Sequence, residues 1–233
     1  AYPEQSYEQM PGYFRHVHER LHSLRPDAVM QICPCGCAMN LYLLPYIDQA
    51  VASDPMSSRQ VRMKAKAYRA LCPQLAYYGD HVELTDGGLD FASQIGVGAV
   101  IGTKFTYPKD NPDVQDGPFV LTQEKETAVR KWMNIYNRHR IAEGTMLNLY
   151  DYGFDTPEAY VIERCDTLYY AFYADHYDGT LELRGLDATH TYTATTYADD
   201  EPRTFHIDGA QPTLDIHFND NCLLMVVDET TQH

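Results

Sequence analysis

The chain has 233 residues, with 18 basic and 33 acidic side chains and a formal charge of −15. That length can bury a sizeable core in one or two domains. The acidity argues against nucleic acid, whose phosphates call for a basic patch, and against docking on anionic membranes. No apolar run approaches the roughly 20 residues of a spanning helix. The chain opens on Ala1-Tyr2-Pro3-Glu4, without a signal-peptide pattern or an initiator Met. A mature form or a fragment is expected.

In chain order, residues 7–23 read as a helix, with Phe14, Val17 and Leu21 on one face. Residues 28–33 read as a buried strand ending in Cys33-Pro34-Cys35-Gly36-Cys37. Zinc sites usually space cysteines by two to four residues, so this cluster reads instead as small residues at a strand end. Residues 49–53 read as a second strand, ending in Ser53-Asp54-Pro55, and residues 57–71 as the helix after it. Residues 77–84 and 97–105 are two further predicted strands, with Asp86-Gly87-Gly88 stopping the first. A proline-rich loop follows, and residues 122–141 form a long predicted helix carrying Trp132, whose helical spacing places it in a core.

Glu143-Gly144 breaks that helix, and the chain becomes all-β in character. Strands are expected over 167–174, 180–186, 191–197, 213–218 and 222–227, with turns at Asp178-Gly179 and Asp208-Gly209. Short strands at this spacing point to an antiparallel β-sandwich. The first part supplies four strands, each with a helix nearby, which is half of a (β/α)8 TIM barrel. An open four-stranded α/β domain is the alternative. The half-barrel predicts domains at 1–142 and 143–233, with the other barrel half upstream.

In such barrels, residues just past the strands build the active site. Asp54 sits at such an end, and preceding a proline favours an extended backbone there. Its competing role is to cap the helix that follows. Asp80, His81, Glu83 and Asp86 cluster at another strand end, able to bond a polar ligand or to lie in a solvated loop. Tyr42 and Tyr46, in the segment before Asp54, offer faces for stacking on a ligand or simply pack the loop.

His18-Glu19-Arg20-Leu21-His22 is a literal His-Glu-x-x-His on a predicted helix. In zinc peptidases this spacing puts two histidines on one face with the Glu as general base. No third ligand follows at the expected spacing, and Pro26 ends the helix almost at once. Chance helix polarity is the expectation, and no metal is assigned.

From Pro26 to Tyr107 the chain resembles the α-galactosidase (melibiase-like) glycoside hydrolases of family 36 and relatives. Those enzymes carry a Cys-Ser-Ser-Gly-Gly type turn at one strand end and a Ser-Asp pair at the next. A Gly-Ala-His-Val type element follows, and a C-terminal β domain closes the chain. Here Cys33-Pro34-Cys35-Gly36-Cys37, Ser53-Asp54 and Gly79-Asp80-His81-Val82 stand in those places. Pro34 and Cys37 depart from the family's turn.

The resemblance implies a retaining hydrolase of terminal α-galactosides or related α-glycosides, needing no cofactor and no metal. Asp54 would be the acid/base, with Cys33, Cys35, Gly36, Tyr46, Asp80 and His81 shaping the sugar site. The family's nucleophile lies on the preceding strand, so this chain would need the N-terminal half of the barrel, from the same or a separate chain, as its partner. Alone it would be inactive. Export to the periplasm or the cell exterior is expected from the family's habits. A non-catalytic carbohydrate-binding protein is the competing expectation.

Overall fold

The computed structural model describes residues 2, 4–35, 39–80, 88–105, 113, 117 and 119–230. Helix α1 (Gln5–Leu24) leads into strand β1 (Gln31–Ile32), and a short 3₁₀ helix (Leu41–Tyr46) leads into β2 (Gln49–Val51). Helix α2 (Ser58–Leu71), β3 (Ala76–Tyr78) and α3 (Leu89–Gly96) follow. Strands β1, β2 and β3 pair in parallel and in sequence order. A parallel bridge from Tyr78 to Val100 extends the sheet by one more position.

Burial corrects the reading of residues 28–33. Only Gln31–Ile32 pairs as strand, neither residue is fully buried, and Val29 is 66% exposed. Strand β1 is an edge: β2 covers one side, and no described strand pairs with the other. The strand predicted over 97–105 reduces to the bridge at Val100, and the one over 77–84 runs beyond the described residues after Asp80.

Helix α3 escaped the sequence reading because its flanking glycines look like strand punctuation. Six of its eight residues, Phe91 to Gly96, are buried, and eight residues are too short a window for a helical period to stand out. Gly96 is required by close packing: a Cβ there would lie 2.0 Å from the Tyr173 hydroxyl and 2.7 Å from the Ala171 side chain.

Helix α4 (Gln123–His139) is capped by Thr122, whose side chain accepts from the Lys125 N–H, and it ends where Arg140 turns left-handed. Eight antiparallel strands follow: β4 (Thr145–Leu147), β5 (Glu158–Arg164), β6 (Thr167–Tyr173), β7 (Tyr177–Glu182), β8 (Thr191–Thr196), β9 (Thr204–Asp208), β10 (Thr213–Phe218) and β11 (Cys222–Glu229). Six form one sheet in the order β4-β5-β6-β11-β8-β9, and β7 pairs with β10. Strands β4, β5 and β9 were missed in the sequence. The Asp178-Gly179 turn signal is overridden, because both residues pair within β7 against His217 and Ile216 of β10.

The strands β5, β6 and β11 are buried on both faces, which explains their unbroken apolar runs. Val161, Tyr170, Phe172, Leu223 and Met225 share one core with Leu181, Ile216 and Phe218 of the small sheet. The alternate residues Tyr160, Ile162, Tyr169, Ala171, Tyr173 and Leu224 join a second core with Ala50, Tyr77, Ala92 and Ile95. A one-residue slip in register would exchange the two faces, so the dual pattern fixes the pairing.

The junction is also polar. Arg62 of α2 holds Glu158 of β5 through Nε (2.8 Å) and a second guanidinium nitrogen (3.0 Å), and donates to Ser93 Oγ at 2.7 Å. Its guanidinium lies 4.1 Å from the Tyr173 ring centre, and the Tyr173 hydroxyl donates to the Ala92 carbonyl at 2.9 Å. Trp132 stacks parallel to Phe91 with ring centres 6.1 Å apart, as a packing residue.

Candidate active site

Three parallel strands bring Cys33, Ser53, Asp54 and Asp80 to one edge of the sheet, because each lies just past its strand's carboxyl end. The backbone there is unusual. Cys35, Ser53, Asp54 and Asp80 have φ of +52°, +53°, +43° and +61°, four of the eight non-glycine residues with positive φ among those described. Such conformations cost of order 1–3 kcal/mol each and tend to collect at functional sites.

The left-handed turn at Asp54 departs from the extended backbone expected before Pro55. Its surroundings supply the reason. The Asp54 N–H donates to Asp80 Oδ2 at 2.7 Å. The Lys64 ammonium, reaching from α2, donates to the carbonyls of Ala52 and Ser53, the latter at 3.0 Å. Burial lowers the Lys64 pKa from its ordinary value, while the charges of Asp80, Asp54 and Cys33 act against that shift. One cation thus serves two carboxylates and the carbonyls of the turn between them.

The capping role weighed for Asp54 belongs to Ser57, whose hydroxyl accepts the Gln60 N–H at 3.2 Å. Asp54 is exposed and Asp80 partly so, whereas Ser53 between the strand and Asp54 is buried. The Ser53 hydroxyl lies 3.6 Å from the Cys33 thiol, and the Cys35 thiol lies 3.8 Å from the Cys33 carbonyl. Both cysteines are exposed at the rim of the edge.

Buried Gln94 of α3 completes the support. Its Nε2 donates to the Asp80 carbonyl at 3.4 Å, and its Oε1 accepts the Gly102 N–H at 3.0 Å. Gly102 must lack a side chain, since a Cβ would lie 2.1 Å from the Asp80 carbonyl oxygen. Neither Lys64 nor Gln94 was singled out from sequence, because an ordinary helix position hides a side chain that reaches a distant strand end.

Of the remaining sequence candidates, Gly36 and His81 lie outside the described residues, as do Glu83 and Asp86. Tyr46 lies elsewhere. With Tyr7, Glu8, Pro11, Asn40 and Tyr42 it lines a cavity of about 380 Å³ against the start of α1, whose lining includes neither Asp54 nor Asp80.

By sequence, the chain is similar to the A type blood alpha-D-galactosamine galactosaminidase of Flavonifractor plautii, with 30% identity over 237 residues. The match covers 98% of this chain and 20% of that protein, so the chain spans about one fifth of its relative. No family model matches the chain.

Among solved structures, a noncanonic maltogenic alpha-amylase from Thermotoga neapolitana has a TM-score of 0.53 at 9% identity, covering 93% of this chain and 58% of its own. A GH30 endoxylanase from Clostridium papyrosolvens C71 scores 0.51 at 8% identity, covering 96% and 60%. An Anoxybacillus alpha-amylase scores 0.53 at 10% identity, covering 96% and 57%. At these identities the likeness is one of fold.

Proposed function

We propose that this chain is part of a retaining glycoside hydrolase acting on terminal α-galactosides, α-galactosaminides or related α-glycosides. Residues 1–142 are the second half of a (β/α)8 catalytic barrel, and residues 143–233 a β-sandwich that braces it. The observation that carries this reading is the Asp54–Asp80 contact at the carboxyl ends of adjacent parallel strands. Active sites of such barrels are built at that end. The galactosaminidase relative supports the sugar class, and the open edge of β1 supports a further half-barrel beside it.

In the proposed reaction Asp54 gives its proton to the glycosidic oxygen as the bond to the anomeric carbon breaks. A second carboxylate, supplied from outside this chain and about 5–5.5 Å away, attacks that carbon. Water then displaces the glycosyl group, and Asp54 takes its proton back. Asp80 and Lys64 hold the turn that carries Asp54. The backbone at Cys33, Cys35 and Gly36 shapes the sugar floor, with His81 and Tyr46 as further sugar contacts.

The test is hydrolysis of an aryl α-galactoside and an aryl α-galactosaminide by the upstream-extended protein and its Asp54→Ala variant. Loss of about 10²–10⁴-fold in kcat, the usual share of general acid–base catalysis, supports the assignment. Unchanged activity in the variant moves the acid/base elsewhere. A parent that binds these sugars without hydrolysing any α-glycoside favours the carbohydrate-binding alternative.

A further inference from the structure

The His-Glu-x-x-His segment on α1 has a third partner that lies far away in sequence. His18 Nε2 is 3.2 Å from Asp48 Oδ1, and His22 Nε2 is 3.0 Å from Asp48 Oδ2. All three ligand atoms fall within 4.8 Å of one another. Asp48 immediately precedes β2, and its Oδ2 also accepts the Met30 N–H at 2.7 Å, just before β1. The cluster therefore sits at the amino ends of the parallel strands, opposite Asp54.

We propose that His18, His22 and Asp48 form a structural zinc site that ties α1 to the amino ends of β1 and β2. The geometry suits the ion. The three ligand atoms lie within 4.8 Å of one another, and zinc bonds of about 2.0–2.1 Å would draw them to roughly 3.3 Å apart around a tetrahedral ion. The tautomer suits it too. His22 Nδ1 lies 3.2 Å from the Pro26 carbonyl, and a ring N–H donated to a backbone carbonyl is the usual second contact of a metal-binding histidine.

Side chains about a quarter exposed leave access for a water as fourth ligand. Glu19, between the two histidines in sequence, is exposed on the helix surface.

The experiment is zinc titration of the chelator-stripped chain by calorimetry, with metal analysis after dialysis and a thermal melt with and without zinc. One zinc per chain, a raised Tm, and affinity at least ~100-fold weaker in His18→Ala and His22→Ala support the site. No uptake by the folded parent, or equal uptake by the folded variants, overturns it. If circular dichroism shows either alanine variant unfolded, Asp48→Asn takes its place. That variant keeps an acceptor for the Met30 N–H while removing the charged ligand.

Discussion

The carboxylate of Asp80 accepts the backbone N–H of Asp54 at 2.7 Å, so one acidic residue fixes the main chain of the other. Hydrogen bonds to charged groups contribute about 1.5–3 kcal/mol, comparable with the cost of a left-handed aspartate. Removing the acceptor should let the turn at Asp54 relax. Asp80→Ala is expected to lower kcat of the upstream-extended protein by about 10-fold or more, since small displacements of a positioned group are costly. Asp80→Asn keeps an acceptor and should retain more activity. Steady-state kinetics on an aryl α-galactoside measures both. Asp80→Asn falling as far as Asp54→Ala would show that the Asp80 charge itself takes part.

Arg62 joins the two packed regions through Glu158, with Tyr160 also donating to that carboxylate at 2.6 Å. The Arg62 side chain is only 6% exposed. Arg62→Met would strand Glu158 near apolar rings, and removing one partner of such a pair typically costs about 3–5 kcal/mol. Adding Glu158→Gln should recover part of the loss, because the stranded charge disappears. Urea unfolding of the two single variants and the double variant checks this. Additive losses would mean that Arg62 acts through its Ser93 and Tyr173 contacts instead.

The order of parallel strands and helices, and the switch to antiparallel strands, were legible because period and turn signals are local. Helix α3 was not, since its eight residues between glycines are too short a window for the period to stand out. Strand β5 begins Glu-Ala and ends Glu-Arg, residues at home in a helix, and only pairing with β4 and β6 decides its state. At the site, strand ends were visible, but Lys64, Gln94 and the left-handed backbone come from contacts across the fold. Asp48 was invisible for the same reason: it meets His22 from 26 residues away.

His139, the last residue of α4, packs against the rings of Tyr197 and Tyr169, with centres 4.8 and 5.7 Å away. Burial lowers its pKa below the ordinary 6.5, Arg138 adds to the shift, and Asp228 opposes it. Between the depressed folded value and 6.5 the unfolded chain binds more protons than the folded one. Stability from this group is therefore complete above about pH 6.5 and falls as pH drops through the folded value. His139→Gln should flatten that part of the profile. Urea midpoints near pH 7.5 and near pH 5.5, compared between parent and variant, subtract the other titrating groups. Identical slopes would show that His139 contributes nothing.

Arg69 of α2 is 2% exposed and points its guanidinium at three backbone carbonyls. It donates to Leu75 at 3.1 Å and to Val97 and Gly98 at 2.8 Å each. These carbonyls belong to the turns on either side of β3 and α3, so one side chain satisfies groups that no strand or helix pairs. Burial works against the charge, and the fork geometry of the donors offsets that cost. Arg69→Met would leave the carbonyls without these donors in a dry core, at about 3–5 kcal/mol. Arg69→Lys keeps the charge but lacks the planar fork, and should still lose about 2 kcal/mol or more. Denaturant titration of both variants measures the two losses. A lysine variant as stable as the parent would show that the charge matters and the fork does not.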